Sequence, residues 1–273
     1  MELRTDCTVH DTAHAKRPSI WSGLGIVILY FALQFGLSIL IGAAIGFVLA
    51  VKAGVVAGLQ HMRPNLAAVT ASLRSNPDLR IVLVIATITT AAIVMVLVVR
   101  RTWPAQWSRP QPPGFGFAPP ADRRTYPAAI VLGFALLVVG GLLTHLLAGQ
   151  HPVHQDVSVM AGKVSFGMKA LLALLVVGVA PLVEELVFRG VLLSGLASRM
   201  PIWTAVVVSA LIFGAAHLPD FGYAWYPVPA LVLLGLALGW LRVHSRSLWP
   251  SIVMHASNNF FAAIAWFVAV HPR

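Results

Sequence analysis

Two adjacent glutamates lie inside a long apolar segment, APLVEELVFRG, and carry the most unusual charges in this sequence. Glu184 and Glu185 are followed by Arg189. A charge at the centre of a bilayer costs about 2.5–3.5 kcal/mol, so these groups need compensation. Glu185 and Arg189 share one helix face and are predicted to form a supporting pair. Glu184 points about 100° away, which makes it a functional candidate. Pro181 cannot donate to the preceding turn and predicts a kink there.

Two later apolar segments, IFGAAH and WPSIVMHASNN, contribute His217, His255 and Asn259. If a helical hairpin turns at residues 200–201, Glu184 and His217 are each about 16 residues, or roughly 25 Å, from the turn. The two side chains would then lie at the same depth. Asn259 lies about one turn deeper than His255. The spacing predicts a shallow polar site formed by three separate segments and open to the inner face.

A carboxylate that faces a histidine can position and deprotonate a water molecule, which is the general-base half of hydrolysis. A second histidine and an asparagine amide can stabilise an oxyanion. This set suffices for peptide-bond hydrolysis without a covalent nucleophile. Glu184, His217 and His255 also form a two-histidine, one-glutamate set of zinc ligands. The spacing leaves both chemistries open, and without an HExxH helix a Zn²⁺ cofactor is not favoured.

The elements that must position these residues are membrane helices. The chain has 273 residues, of which 58% are hydrophobic and 10% charged, and its mean hydropathy is +0.84. This composition excludes an ordinary soluble domain and a disordered chain. Several apolar runs approach the roughly 20 residues that a spanning helix needs. We therefore predict an all-α, polytopic transmembrane helical bundle with about seven membrane helices.

The apolar runs divide the chain into two regions. Residues 1–127 are predicted to contain a polar N-terminal tail, two spans and a Pro/Gly-rich loop, and residues 128–273 a membrane helical bundle. The predicted spans are 20–51, 81–99 and 128–147, with four more that begin near residues 168, 203, 228 and 248. The mixed stretch 52–80 is compatible with a loop or with a re-entrant segment.

The 19 basic and 9 acidic residues give a formal charge of +10. The basic residues lie mostly at the ends of apolar runs, where membrane topology and anionic lipid headgroups explain them. Nucleic acid is therefore not an expected partner, whereas membrane lipids are. An inner N-terminus places 11 basic residues inside and 7 outside, which predicts a multi-pass protein of the plasma or inner membrane with a cytoplasmic N-terminus. The lone cysteine, Cys7, excludes an internal disulfide.

The three motifs resemble those of a known family. EELVFR matches EExxxR, FGAAH matches FxxxH and HASNN matches HxxxN, in the family's order. The sequence is similar to the CPBP or ABI family of type II CAAX prenyl endopeptidases and bacteriocin-processing or immunity-associated proteins. The resemblance covers roughly residues 168–267, the expected catalytic core. It implies that Glu184 and His217 activate the attacking water, that His255 and Asn259 stabilise the oxyanion, and that Glu185 and Arg189 support them. It also implies an all-helical membrane bundle, and leaves both glutamate-dependent and metal-dependent hydrolysis open.

The resulting hypothesis is an intramembrane endopeptidase that acts on a membrane-associated peptide or protein, either prenylated and of CAAX type or bacteriocin-like. A serine protease that uses Ser194 would leave the glutamates unexplained, and an aspartyl protease lacks its two membrane aspartates. Two other functions remain open. A proton-coupled transporter could use Glu184 and the histidines as a relay. A non-catalytic immunity or scaffold protein could keep the site and act by binding.

Overall fold

The computed structural model describes residues 16–63 and 65–268, and these two ranges are helical with no β-strand. Cys7 and the rest of residues 1–15 lie outside the described residues. In chain order the helices are α1 (Ile20–Leu59), α2 (Leu66–Ser75), α3 (Pro77–Thr102), α4 (Thr125–Ala148), α5 (Asp156–Ala161), α6 (Phe166–Ala197), α7 (Ile202–Ala216), α8 (Val228–Ser245) and α9 (Trp249–Val268). Short 3-10 turns follow α3 at Pro104–Gln106 and α7 at Leu218–Phe221.

Six of the described helices, α1, α3, α4, α6, α8 and α9, are long and apolar enough to cross a membrane. This confirms the predicted fold class and a multi-pass membrane protein. The span predicted near residue 203 is α7, which has 15 residues and is shorter than the others. Most of the stretch 52–80 is helical, because α1 continues to Leu59 and α3 already begins at Pro77. The Pro/Gly-rich segment before α4 is irregular, as predicted, apart from one 3-10 turn.

The start of α3 has the local signals expected of a helix N-terminus. Asn76 accepts hydrogen bonds from the backbone N–H groups of Asp78 and Leu79, and Pro77 occupies the first turn, where its missing N–H costs nothing. The Asp78 carboxylate also accepts a hydrogen bond from the Ser165 N–H, immediately before α6. This bond ties the start of α6 to α3.

Small residues bring α1 close to the second half of α6. A Cβ atom at Gly195 would lie 2.5 Å from the Ser19 carbonyl oxygen, and one at Gly23 would lie 3.2 Å from the Leu192 Cα. The approach at Gly195 leaves no room for a Cβ atom and the one at Gly23 leaves little, and membrane helices commonly pack through small residues of this kind. Because the residue numbers rise along α1 and fall along α6, the two helices are antiparallel.

Helix α6 widens on both sides of the glutamates. Residues Leu175–Val179 and Leu186–Leu192 form π turns, and Ala180–Glu185 between them is regular α-helix. The Ala180 N–H bonds the Leu175 carbonyl, five residues back. In the same register the Val176 carbonyl would face residue 181, which is proline and has no N–H. The distortion predicted at Pro181 is therefore a widened π turn, a feature frequent at functional sites.

The predicted helical hairpin is present. Helix α6 ends at Ala197, and α7 begins at Ile202, directly after Pro201. Arg242 of α8 anchors the loop that precedes α4 from within the bundle, where its guanidinium donates to the carbonyls of Pro110 and Gly114, each at 2.7 Å. The main buried cluster takes side chains from α1 and α3 as well as from α6 to α9. Both predicted regions of the chain thus share one core.

Candidate active site

The structure brings Glu184 together with two histidines from other helices. One carboxylate oxygen, Oε2, lies 3.8 Å from the Nε2 atom of His217 and 3.8 Å from the Nε2 atom of His255. His217 ends α7, whereas His255 lies in the first half of α9. The two sequence-predicted partners therefore reach the same carboxylate oxygen from separate helices.

His217 is held by its own helix. Its Nδ1 atom lies 2.8 Å from the Phe213 carbonyl oxygen, one turn earlier. A carbonyl oxygen can only accept, so we assign the Nδ1 proton to this bond. The other ring nitrogen, Nε2, then faces Glu184. The Phe213 ring packs against the His217 ring, with centroids 4.5 Å apart.

His255 is held by the second glutamate. Its Nδ1 atom lies 2.9 Å from Glu185 Oε1, which can accept the Nδ1 proton, while Nε2 faces Glu184. A carboxylate that orients a histidine in this way selects the ring's tautomer and its direction. The sequence predicted a supporting role for Glu185 through Arg189. It contained no signal for the contact with His255, which is 70 residues away.

The pair predicted between Glu185 and Arg189 is present. The Arg189 Nη1 atom lies 3.0 Å from Glu185 Oε1, and Nη2 donates to the Gly235 carbonyl at 3.2 Å. Both charged side chains are fully buried. The Phe213 ring covers the guanidinium at 4.3 Å, a cation–π contact. Phe213 thus touches Arg189 as well as His217, and its place in the FGAAH motif was the sequence signal for this role.

Asn259 lies one turn beyond His255 on α9, and its amide Nδ2 donates to the Val176 carbonyl of α6 at 2.8 Å. This is the carbonyl that Pro181 leaves without a backbone donor in the π register. Asn259 therefore joins α9 to the distorted turn that precedes the glutamates. One of its two amide hydrogens is used in this bond.

The side chains of the cluster differ in accessibility. Those of Glu184 and His217 are 16% and 19% exposed, while those of Glu185, Arg189 and His255 are almost completely buried. The open side of the cluster is therefore formed by Glu184 and His217. The buried side forms a support behind them.

The 3.8 Å separations bear on which small group the site could hold. A water that bonds two groups at about 2.8 Å from each can span such a gap. Tetrahedral zinc ligands, with bonds of about 2.0–2.2 Å, stand only roughly 3.4 Å apart. Within the described part of the chain, no group of three or more His, Cys, Asp or Glu side chains is arranged to hold a metal ion. Two tetrahedral partners of one water would stand roughly 4.6 Å apart, so the observed 3.8 Å lies between the two geometries and favours neither a water nor a zinc ion.

Ser194, the alternative nucleophile, is buried in α6, and its hydroxyl donates to the Gly114 carbonyl at 3.4 Å. Both histidines of the site instead face the glutamates.

Together, the helical bundle and its buried acidic site define a multi-pass membrane protein with a polar centre suited to hydrolysis. Residues 166–261 match the family model Rce1-like, described as type II CAAX prenyl endopeptidase Rce1-like. The match covers α6 to α8 and most of α9, and it confirms the family resemblance indicated by the three motifs. That family indicates a CAAX protease, which is a hydrolase. No curated protein and no solved structure matches the chain.

Proposed function

We propose that this protein is an intramembrane endopeptidase that hydrolyses a peptide bond of a membrane-associated substrate with a water activated by Glu184 and His217. The observation that carries this proposal is the convergence of both histidine Nε2 atoms on one oxygen of Glu184, inside an apolar bundle. Ionisable groups in such surroundings are costly and are retained mainly for function.

In the proposed reaction, the water lies between Glu184 and His217 and next to the scissile carbonyl. The Glu184 carboxylate takes one proton from the water as its oxygen attacks the carbonyl carbon. The carbonyl π electrons move to oxygen and form a tetrahedral oxyanion. When the C–N bond breaks, its electron pair goes to nitrogen, and the protonated Glu184 returns the proton to the leaving amine. No covalent enzyme intermediate forms.

His255 and Asn259 act on the oxyanion in this proposal. The buried cluster contains two carboxylates and one guanidinium, which together carry one negative charge. One additional proton on a histidine cancels this charge and makes the cluster neutral. A neutral cluster avoids the cost of a buried net charge. Because the Nδ1 atom of His255 bonds Glu185, the donor that His255 offers to the oxyanion is Nε2. Asn259 has one amide hydrogen beyond the bond to Val176.

The matched family favours a prenylated CAAX peptide over a bacteriocin-like peptide as the substrate class. The excess of basic residues at the ends of the predicted spans favours a cytoplasmic N-terminus. The proposed reaction needs no metal ion, because a carboxylate can activate a water as a general base by itself.

The test is cleavage of a farnesylated CAAX peptide, labelled with a fluorophore and a quencher, by the purified full-length protein in detergent. We expect Glu184→Gln and His217→Ala to lose activity by at least about 10²-fold, because each removes a group that activates the water. Asp122→Asn and His145→Ala, which change exposed side chains without a contact to the site residues, serve as matched controls with unchanged activity. Full cleavage by both site variants would show that the proposed mechanism is wrong.

If the wild-type protein does not cleave the peptide, the proposed CAAX activity is wrong. Proton-dependent uptake of a solute into proteoliposomes, abolished by Glu184→Gln, would then support the transporter alternative. A Glu184→Gln variant that is indistinguishable from wild type in the host cell would support the non-catalytic alternative.

A further inference from the structure

The proposed reaction, on which this inference rests, needs hydrogen-bond donors for the oxyanion, and the site residues named so far supply few. Asn259 has already committed one amide hydrogen to Val176. His255 can donate from Nε2 only when its ring carries two protons, because Nδ1 is occupied by Glu185. Oxyanion sites generally use preorganised donors, and loss of one costs about 10²–10³-fold in rate. A further donor near Glu184 would therefore affect the rate strongly.

Tyr30 of α1 is buried in the same cluster as the site helices. The whole residue is 2% exposed, and the same cluster contains Val183 and Val187, which flank the glutamates on α6, and Phe213, which packs on both histidines. Helix α1 lies outside residues 166–261, so the family match says nothing about this tyrosine.

The packing register places Tyr30 at the level of the glutamates. Gly23 lies against Leu192 where α1 and α6 are in close contact. Tyr30 is seven residues after Gly23, on the same face of α1 two turns further along. In an antiparallel pair, the matching position on α6 is seven residues before Leu192, which is Glu185. From this contact, Tyr30 lies at the level of residues 184–185, roughly 10 Å along the helices from the glycine contact.

Tyr30 is buried, and its hydroxyl lies within electrostatic range of the carboxylates of Glu184 and Asp220, which agrees with this register. Asp220 lies three residues beyond His217.

The Tyr30 hydroxyl has no hydrogen-bond partner among the described residues. Within residues 16–63 and 65–268 it forms no hydrogen bond, although buried tyrosine hydroxyls usually find a partner. It is not among the fully enclosed side-chain polar atoms that lack a partner, so its oxygen retains contact with open space. A buried ring with an unpaired hydroxyl at an accessible point is suited to donate to a ligand.

We propose that the Tyr30 hydroxyl donates a hydrogen bond to the scissile carbonyl oxygen of the substrate and stabilises the oxyanion. The hydroxyl keeps its proton throughout, and no bond is made to the tyrosine. The buried ring packs at the level of the glutamates and keeps the donor in place before the reaction begins. Helix α1 thereby contributes a catalytic residue to a site whose other members come from α6, α7 and α9.

The first experiment compares Tyr30→Phe with wild type in the farnesylated peptide assay. Phenylalanine keeps the ring and removes only the donor, so we expect kcat to fall about 10²-fold, KM to stay within about twofold and the melting temperature to be unchanged. Tyr223→Phe, at a 75% exposed position, is the matched control and should be fully active. An unchanged kcat, a change confined to KM, or a loss of kcat together with a lower melting temperature would each show that the proposal is wrong.

The second experiment needs no substrate. 3-Fluorotyrosine is placed at position 30 of the full-length protein, and its ¹⁹F resonance is compared with and without Glu184→Gln. We expect the resonance to move, and the same label at position 223 not to move. A position-30 resonance that does not respond to Glu184→Gln would overturn the proposal.

The two experiments separate the two proposals. If Glu184→Gln is inactive and Tyr30→Phe is fully active, the proposed function stands and the role of Tyr30 is wrong. If the wild-type protein cleaves nothing, the proposed function is wrong, and the fluorine measurement alone tests where the hydroxyl lies.

Discussion

The Nδ1 atom of His255 lies 2.9 Å from Glu185 Oε1, so the glutamate next to the proposed base orients one of the two rings that face that base. The two adjacent carboxylates therefore have different surroundings. Glu184 is accessible and, within residues 16–63 and 65–268, has only histidines within salt-bridge distance, whereas Glu185 is buried between Arg189 and His255. The tandem EE motif thus combines one carboxylate suited to chemistry with one that holds the structure around it.

Arg189→Met should destabilise the protein by about 3–5 kcal/mol, because it leaves the buried Glu185 without its cation. Glu185→Gln combined with Arg189→Met should recover part of this loss, since no unpaired charge then remains. Unfolding of the purified variants in mixed detergent measures both free energies. A loss below about 1 kcal/mol for Arg189→Met would contradict the buried pair.

Asn259→Ala should lower both stability and kcat. The stability loss should be about 1–3 kcal/mol, because the Val176 carbonyl loses its donor in an apolar environment. Asn258→Ala is a matched control on the same helix, where the amide donates to the Gly133 carbonyl of α4 at 3.1 Å. We expect the control to lose comparable stability and to keep its kcat. Equal kcat values for the two variants would argue against a role for Asn259 in the reaction.

Pro181→Ala should weaken the dependence on Asn259. The new backbone N–H at position 181 can bond the carbonyls of the preceding turn, so Val176 no longer relies on the Asn259 side chain. In a double-mutant cycle of Pro181→Ala and Asn259→Ala, we expect a coupling of about 0.5–3 kcal/mol in unfolding free energy. Additive effects would mean that the proline and the asparagine act independently.

Removal of metal ions should leave peptide cleavage unchanged. In the proposed reaction Glu184 activates the water as a general base without a metal ion, so EDTA and 1,10-phenanthroline should not inhibit the purified protein. Elemental analysis of the same preparation should find less than one zinc per chain. Stoichiometric zinc whose removal abolishes cleavage and whose return restores it would contradict a metal-independent reaction.

The contacts that the sequence alone could predict are short in range or follow from composition. The apolar runs predicted the spans because a membrane helix needs length and hydropathy. The pair of Glu185 with Arg189 follows from helical spacing, and the hairpin at residues 200–201 follows from a proline between two apolar runs. Given that hairpin, the helical rise per residue was enough to predict that Glu184 and His217 lie at the same depth.

Contacts between distant segments were decided by the tertiary structure. The bond from His255 to Glu185, the bond from Asn259 to Val176 and the approach of α1 to α6 all depend on which helix faces meet. Helix α1 is apolar on every side, so its sequence does not indicate which face packs against protein and which meets lipid. Only close packing between particular small residues selects one register, and that register brings Tyr30 to the level of the glutamates.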